Sequence, residues 1–298
     1  MKPLYSIAQA YLNRATRNFA LDDLAGARAS FDKASRTKSK LKLKSVRDVS
    51  TANNGGIKLR IYRNDPANTK PPAVVYFHGG GFALGSIESH DSVCRSIGKY
   101  AHCVVVSVEY SLAPEATYPV PVNEGLAVLD WLERCGEEEG IDISKLFLGG
   151  DSAGGNIALS VATDSRLKTD LCGLVLLYPT LDPALTSQSM QRYATGHFLT
   201  KAMLHQFWSL YKGEQYHIPT DAELGRLPPV LLIAAEKDVL RDEGTAFAQK
   251  LRTLHKDVEY EVYSDMLHGF VQFPKIVSKK MQAFKRISMF VAKQSGQA

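Results

Sequence analysis

The stretch Gly149-Gly150-Asp151-Ser152-Ala153-Gly154-Gly155-Asn156 separates two segments with different hydrophobic patterns. Ahead of it, Lys145-Leu146-Phe147-Leu148 is a short apolar run, long enough for one buried strand. Behind it, Ile157-Ala158-Leu159-Ser160-Val161-Ala162 opens a helix of small residues. The serine therefore lies at a strand-to-helix turn. Gly150, Ser152 and Gly154 give the spacing G-x-S-x-G. A nucleophile held on so sharp a turn takes a strained backbone angle. Residues two before and two after it must lack side chains, or strand and helix collide. The amides that follow point out of a helix start, where negative charge is favoured. Taken alone, the spacing also suits a glycine-rich turn with an idle serine, so partners must come from the rest of the chain.

On both sides of this turn, short apolar runs alternate with helical patterns. Two strands are expected at 46–51 and 57–63, joined by the hairpin signal Asn53-Asn54-Gly55-Gly56. A buried strand at 73–77 ends in His78-Gly79-Gly80-Gly81-Phe82. A helix at 89–100, a strand at 103–108 and a helix at 122–135 lead to the serine turn. After it come strands at 171–178, 230–235 and 258–263, helices from Val239 and from Pro274, and a segment that breaks the alternation. That order predicts an α/β fold with a mostly parallel sheet and right-handed crossovers. The break, residues 182–226, is expected to carry one amphipathic helix with Leu199, Met203, Phe207, Leu210 and Tyr211 on one face. It leaves straight from a strand end at Tyr178-Pro179, so it reads as a lid over the strand ends, where α/β sheets bind ligands.

Residues 3–35 read as a helical arm, with Leu4, Ala8, Tyr11, Leu12, Ala15 and Phe19 on one face and a second start at Asp22-Asp23. The expected division is an N-terminal helical cap segment at 1–45, catalytic halves at 46–181 and 227–298, and the cap insert at 182–226. The run from Arg36 to Arg47 holds six cations but alternates with Leu41 and Leu43, which suits a solvated edge.

The 298 residues are ample for a sizeable core. Hydrophobic content of 45% and charged content of 22% are ordinary for a soluble globular protein. A net charge of +5 is too small to argue for nucleic acid. Cys94, Cys103, Cys135 and Cys172 lack paired spacing, so neither a metal site nor a disulfide framework is expected. No signal-peptide core or membrane-length apolar run is visible, which points to a cytoplasmic protein without membrane partners. A final exposed strand near Val258 would let copies pair edges, as a homodimer or in a higher oligomer.

A serine hydroxyl needs a base, and the base needs an orienting acid. Asp238 follows the strand at 230–235, and His268 follows the last strand in Leu267-His268-Gly269-Phe270. The chain order Ser152, Asp238, His268 is the α/β-hydrolase order. Asp242 and Glu243 are rival acids but fall inside a helix, while Asp238 has a second reading as a cap before Val239. The glycines after His78 offer bare backbone amides. Gly80, Gly81 and Ala153 are the expected oxyanion-hole donors. A phosphate loop would need Lys-Ser or Lys-Thr after the glycines, and neither follows. His78 reads as a brace for the loop.

His78-Gly79-Gly80-Gly81-Phe82, Gly150-Asp151-Ser152-Ala153-Gly154-Gly155-Asn156 and His268-Gly269-Phe270 resemble the hormone-sensitive-lipase-like family of α/β-hydrolase carboxylesterases. So do Tyr110-Ser111-Leu112-Ala113-Pro114-Glu115 and Asp238-Val239-Leu240-Arg241-Asp242-Glu243. The resemblance runs from His78 to Phe270. It implies the α/β-hydrolase fold with an eight-stranded, mostly parallel sheet, a Ser-Asp-His triad, no cofactor, and a cap built from the arm and the insert. It implies an esterase of small acyl esters, and the apolar faces of the arm and the insert, which would close the acyl site into a pocket of limited depth, narrow the expectation to short-acyl carboxylic esters. The chain departs from the family at Ser111, where arginine is usual, at Val239, often proline, and near Ser264-Asp265, often glycine. Two other functions stay open. One is an amide or formamide hydrolase, or a deacetylase, on the same triad. The other is a non-catalytic binder, as in the plant gibberellin receptors, which resemble this family but have lost the histidine that His268 supplies here.

Overall fold

The computed structural model describes residues 23–35, 41–52, 56–65, 70–272 and 277–297. The first arm face, Leu4 to Phe19, lies outside them, as do residues 36–40 of the basic run and Asn53-Asn54-Gly55 of the hairpin. The arm enters the described region as α1 (Leu24–Ser35). The hairpin strands are β1 (Ser45–Ser50) and β2 (Lys58–Arg63), paired antiparallel. Alternation then follows: β3 (Ala73–Phe77), α2 (Asp91–Tyr100), β4 (Val104–Val108), α3 (Val120–Cys135), β5 (Leu146–Asp151), α4 (Ala153–Thr163) and β6 (Leu171–Leu177).

The insert holds three helical segments where the sequence reading expected one: α5 (Gln188–Arg192), α6 (Lys201–Tyr211) and α7 (Asp221–Leu224). The two extra ones are short. They are specified by Ser187 and Thr220 caps rather than by an apolar periodicity that a sequence window can detect. The chain closes with β7 (Val230–Lys237), α8 (Arg241–Thr253), β8 (Val258–Leu267) and α9 (Val277–Gln294).

The eight strands form one sheet in the order β1-β2-β4-β3-β5-β6-β7-β8. The first two pairings in that order are antiparallel and the remainder parallel. This is the expected fold, with β8 at an edge. Strands β3, β4 and β5 are buried along their whole length, as their unbroken apolar runs require in a parallel sheet covered on both faces. Alternate residues feed two cores. Val75 and Phe77 join α3, α4, α1 and α6 on one face, while Val74 and Tyr76 join α2 and α9 on the other. Every residue of α4 is buried, so its small side chains are what let a helix run through the core. Among the described residues no helix is long and apolar enough to cross a membrane.

Parallel strands share a direction, so the loops after β3, β5, β7 and β8 emerge at one edge. Every site residue expected from the sequence follows one of those four strands.

Candidate active site

Ser152 stands between the last residue of β5 and the first of α4, with φ 54°. That left-handed conformation is costly for a residue with a side chain and is the strain expected at such a turn. A Cβ on Gly150 would lie 2.4 Å from the carbonyl of Gly154, and one on Gly154 would lie 2.0 Å from the Phe77 carbonyl oxygen. The G-x-S-x-G spacing is thus a statement of close approach between β5, α4 and β3.

Asp238 follows β7 directly, and His268 follows β8 directly. β8 runs on to Leu267, beyond the expected end at 263, and delivers the histidine without a loop. His268 Nδ1 lies 2.7 Å from Asp238 Oδ2, and His268 Nε2 lies 2.9 Å from Ser152 Oγ. All three are buried, with 8%, 1% and 5% exposure for Ser152, Asp238 and His268. The second oxygen of Asp238 accepts from the Leu240 N–H at 3.0 Å. The helix that follows is capped at Leu240 without a side-chain bond, so Asp238 is not its N-cap: one oxygen braces the turn ahead of the helix and the other faces the imidazole.

The rival acids serve the insert. Asp242 Oδ2 accepts from Ser189 N–H at 2.7 Å while Ser189 Oγ accepts from Asp242 N–H at 3.1 Å. Glu243 is buried and accepts from Leu181 N–H at 2.7 Å. Burial pushes its carboxyl well above the usual range.

Gly80 and Gly81 have φ of 136° and 62°. Among the described residues neither N–H, nor that of Ala153, donates to another group. Such donors at a helix start and a glycine turn are free for an anion. His78 is fully buried, stacks on Tyr110 at 4.3 Å, and lies 3.0 Å through Nδ1 from the Gly79 carbonyl. Burial, helped by the neighbouring His90, lowers its pKa to about 3, so it is a neutral brace.

Gly80, Gly81, Ser152 and His268 open on one cavity of about 50 Å³. One water needs roughly 10–15 Å³ by such a measure, so the space suits a small group. Its other walls are mostly apolar: the two segments expected as a cap contribute Phe31 of α1 and Met203 and Phe207 of α6 among others, and Asp151 and Gln272 line it from the sheet edge. The Phe207 ring sits so close to Gly81 that a Cβ there would lie 2.3 Å away. Tyr211 of α6 stacks on Phe82 of the glycine loop with ring centres 3.8 Å apart. Arg28 of α1 pairs with Glu115 at 2.7 Å and donates to the Ala83 and Ala113 carbonyls at 2.9 Å.

The departures from the family pattern have local explanations. Ser111 donates to Glu124 through both its N–H and its Oγ. Asp265 adopts φ 61°, the conformation a glycine there would favour, and aspartate tolerates it better than most residues. Val239 is buried, and its carbonyl accepts from Ser189 Oγ at 2.7 Å.

Sequence reasoning assigned no part to Asp151, His90 or Gln272. Asp151 is 1% exposed and its carboxylate takes donors from strand β3 (Tyr76), from the loop after it (Gly79) and from the turn after β8 (Gln272). Burial works to raise its pKa, but His90 and the Tyr76 and Gly79 donors outweigh that and hold it at about 2. The available signal was an acid closing an otherwise apolar strand, which is costly unless paired.

A model of the alpha/beta hydrolase fold family matches residues 74–272. Carboxylesterase NlhH of Mycobacterium tuberculosis is 34% identical over 245 residues, covering 77% of this chain and 76% of its own. Ethyl acetate hydrolase of Pseudomonas putida is 30% identical over 253 residues, covering 78% of each chain. A hyperthermophilic esterase from the archaeon Pyrobaculum calidifontis superposes with a TM-score of 0.87 at 33% identity, over 99% of both chains. With its serine turn, glycine loop and sheet order already in that pattern, the chain belongs to the α/β-hydrolase fold family, in its hormone-sensitive-lipase-like branch.

Proposed function

We propose that this protein is a serine carboxylesterase acting on small, short-acyl esters. The observation that carries the reading is the unbroken contact chain from Asp238 through His268 to Ser152, ending at a small cavity. Ser152 Oγ attacks the ester carbonyl carbon while His268 Nε2 takes its proton. Asp238 accepts the Nδ1–H bond, fixing the tautomer and supporting the imidazolium. The carbonyl oxygen becomes an oxyanion and receives N–H bonds from Gly80, Gly81 and Ala153. Collapse breaks the C–O bond, and His268 returns the proton to the leaving alcohol. Water then repeats the sequence on the acyl-enzyme and frees the acid.

The relatives named as a carboxylesterase and an ethyl acetate hydrolase support the substrate class. The arm and the insert act as the cap in this reading: their side chains close the cavity and limit its depth. Each buried methylene contributes about 0.8 kcal/mol, so affinity climbs with acyl length only until the space is full.

The test is Ser152→Ala. Hydrolysis of p-nitrophenyl acetate by the purified variant should fall by roughly 10⁴-fold or more, with an unchanged melting temperature, because a methyl fits the same turn. Near-normal turnover in the folded variant would remove the proposed nucleophile. A parallel assay on p-nitroacetanilide separates ester from amide hydrolysis, and wild-type turnover of neither would make the chain a binder.

A further inference from the structure

We propose that Asp151 is a positioning residue that holds the oxyanion donors, the nucleophile and the base in one geometry. The oxyanion hole is assembled from two pieces of chain that no covalent bond joins: the loop after β3, with Gly80 and Gly81, and the turn after β5, with Ala153. The histidine comes on a third piece, after β8. Displacing one such piece by about 1 Å costs roughly 100-fold in rate.

One carboxylate touches all three pieces. Asp151 immediately precedes Ser152 in the chain. Its Oδ1 accepts from the Gly79 N–H at 3.0 Å, one residue before the proposed donors, and from the Tyr76 hydroxyl at 2.8 Å. Its Oδ2 accepts from Gln272 Nε2 at 2.8 Å, four residues beyond His268. Gln272 also contacts His90, which lies 3.3 Å from Oδ1 and closes the far side. A Cβ on Gly79 would stand 2.5 Å from Oδ2, so the glycine at that position makes room for this carboxylate.

Charge argues in the opposite direction. A buried anion beside the site disfavours a developing oxyanion, so if charge dominated, its removal would speed the reaction. If position dominates, removal slows it. Asp151→Asn separates the two, because asparagine keeps an acceptor for Gly79 and Tyr76 but turns a donor toward the Gln272 donor.

The proposal rests on the esterase reading, and its test keeps the two apart. Wild-type, Ser152→Ala, Asp151→Asn, Gln272→Leu and the double variant Asp151→Asn/Gln272→Glu are compared as full chains on p-nitrophenyl acetate. Inhibition by an aryl trifluoromethyl ketone, which forms the oxyanion, is measured alongside. Asp151→Asn should lower kcat roughly 30- to 100-fold with KM within about twofold, and weaken the ketone by a similar factor. The double variant restores a donor facing an acceptor and should recover about 10-fold of that loss. Gln272→Leu, which leaves Asp151 in place, should lose about 3- to 10-fold in kcat, and it carries the test alone if Asp151→Asn does not fold. An unchanged or raised kcat in folded Asp151→Asn, or a double variant no better than the single, overturns the proposal. With Ser152→Ala inactive in the same experiment, the esterase reading would still stand.

Discussion

Two histidine–aspartate pairs lie at the same edge of this sheet, and only one is placed to do chemistry. In the first, Asp238 meets His268 Nδ1 at 2.7 Å, and the other ring nitrogen meets a hydroxyl at 2.9 Å with a cavity beyond. In the second, His90 lies 3.3 Å from Asp151 but is fully sealed, with Ser89 Oγ 2.9 Å from Nδ1 and the Gln272 amide at Nε2. In the proposed mechanism, what separates the general base from a fastener is the far nitrogen's neighbour and the presence of space for a substrate. The acids differ in the same way. Asp238 gives one oxygen to a turn and keeps the other for its histidine, whereas Asp151 spreads its oxygens over three donors besides His90.

The sharpest way to break this comparison is to exchange the acids that flank the working pair. Asp238→Asn should lower kcat by roughly 10³- to 10⁴-fold with little change in KM, because the tautomer and the supporting charge are both lost. Asp242→Asn, in the first turn of α8, should cost less than about tenfold, since Asp242 holds Ser189 of the insert and not the imidazole. Parallel kinetics on the two folded variants decide the assignment. A larger loss at Asp242 would mean that the acid has been misidentified.

How far the sequence could be read divides along the same line. The sheet, the serine turn and the order of the three triad residues follow from local signals: apolar runs of strand length, glycines at fixed offsets, and polar residues just past strand ends. Those signals lie within a few residues of one another. Asp151, His90 and Gln272 are 61 and 121 residues apart in steps from His90 to Asp151 and from Asp151 to Gln272, and only the folded sheet edge brings them together. The insert shows the same limit. Its one periodic helix is visible in the pattern of Leu199 to Tyr211, while α5 and α7 are too short to leave a period. That Glu115 would face Arg28 of the arm was not legible either, since neither residue's neighbours mark a partner 87 positions away.

The cavity beyond His268 can be widened to sharpen the contrast with the sealed His90. Met203 of α6 is half-buried and lines that cavity. Met203→Ala should shift the acyl-length profile, raising the ratio of kcat/KM on octanoate to that on acetate by about tenfold. That is the worth of one to two additional buried methylenes at about 0.8 kcal/mol each. The check is a series of soluble p-nitrophenyl esters from acetate to octanoate. An unchanged ratio would mean that α6 does not bound the acyl site. Efficient wild-type turnover of emulsified palmitate would contradict the small-pocket reading altogether.

The smallest effect concerns the sealed side, and it appears in stability rather than in rate. His78 stands beside His90, with ring centres 5.4 Å apart, and burial holds its pKa at about 3 against an unfolded value near 6.5. A histidine whose folded pKa is lowered binds fewer protons folded than unfolded throughout that window. Unfolding is then favoured as pH falls, so this group's contribution is intact above about pH 6.5 and is lost progressively toward about pH 3. Asp151, held at about 2, adds a loss of the same sign, but only below the ordinary carboxylate range. The melting temperature of the wild-type chain should therefore decline between pH 6.5 and 4.5, before any carboxylate of ordinary pKa titrates fully. His78→Gln, a neutral side chain at the same position, should lie lower at pH 7.5 because stacking on Tyr110 is lost, yet show a shallower decline. Thermal unfolding of both proteins in matched ionic strength at half-unit pH steps measures the two slopes. Parallel slopes would remove His78 as a source of the acid sensitivity.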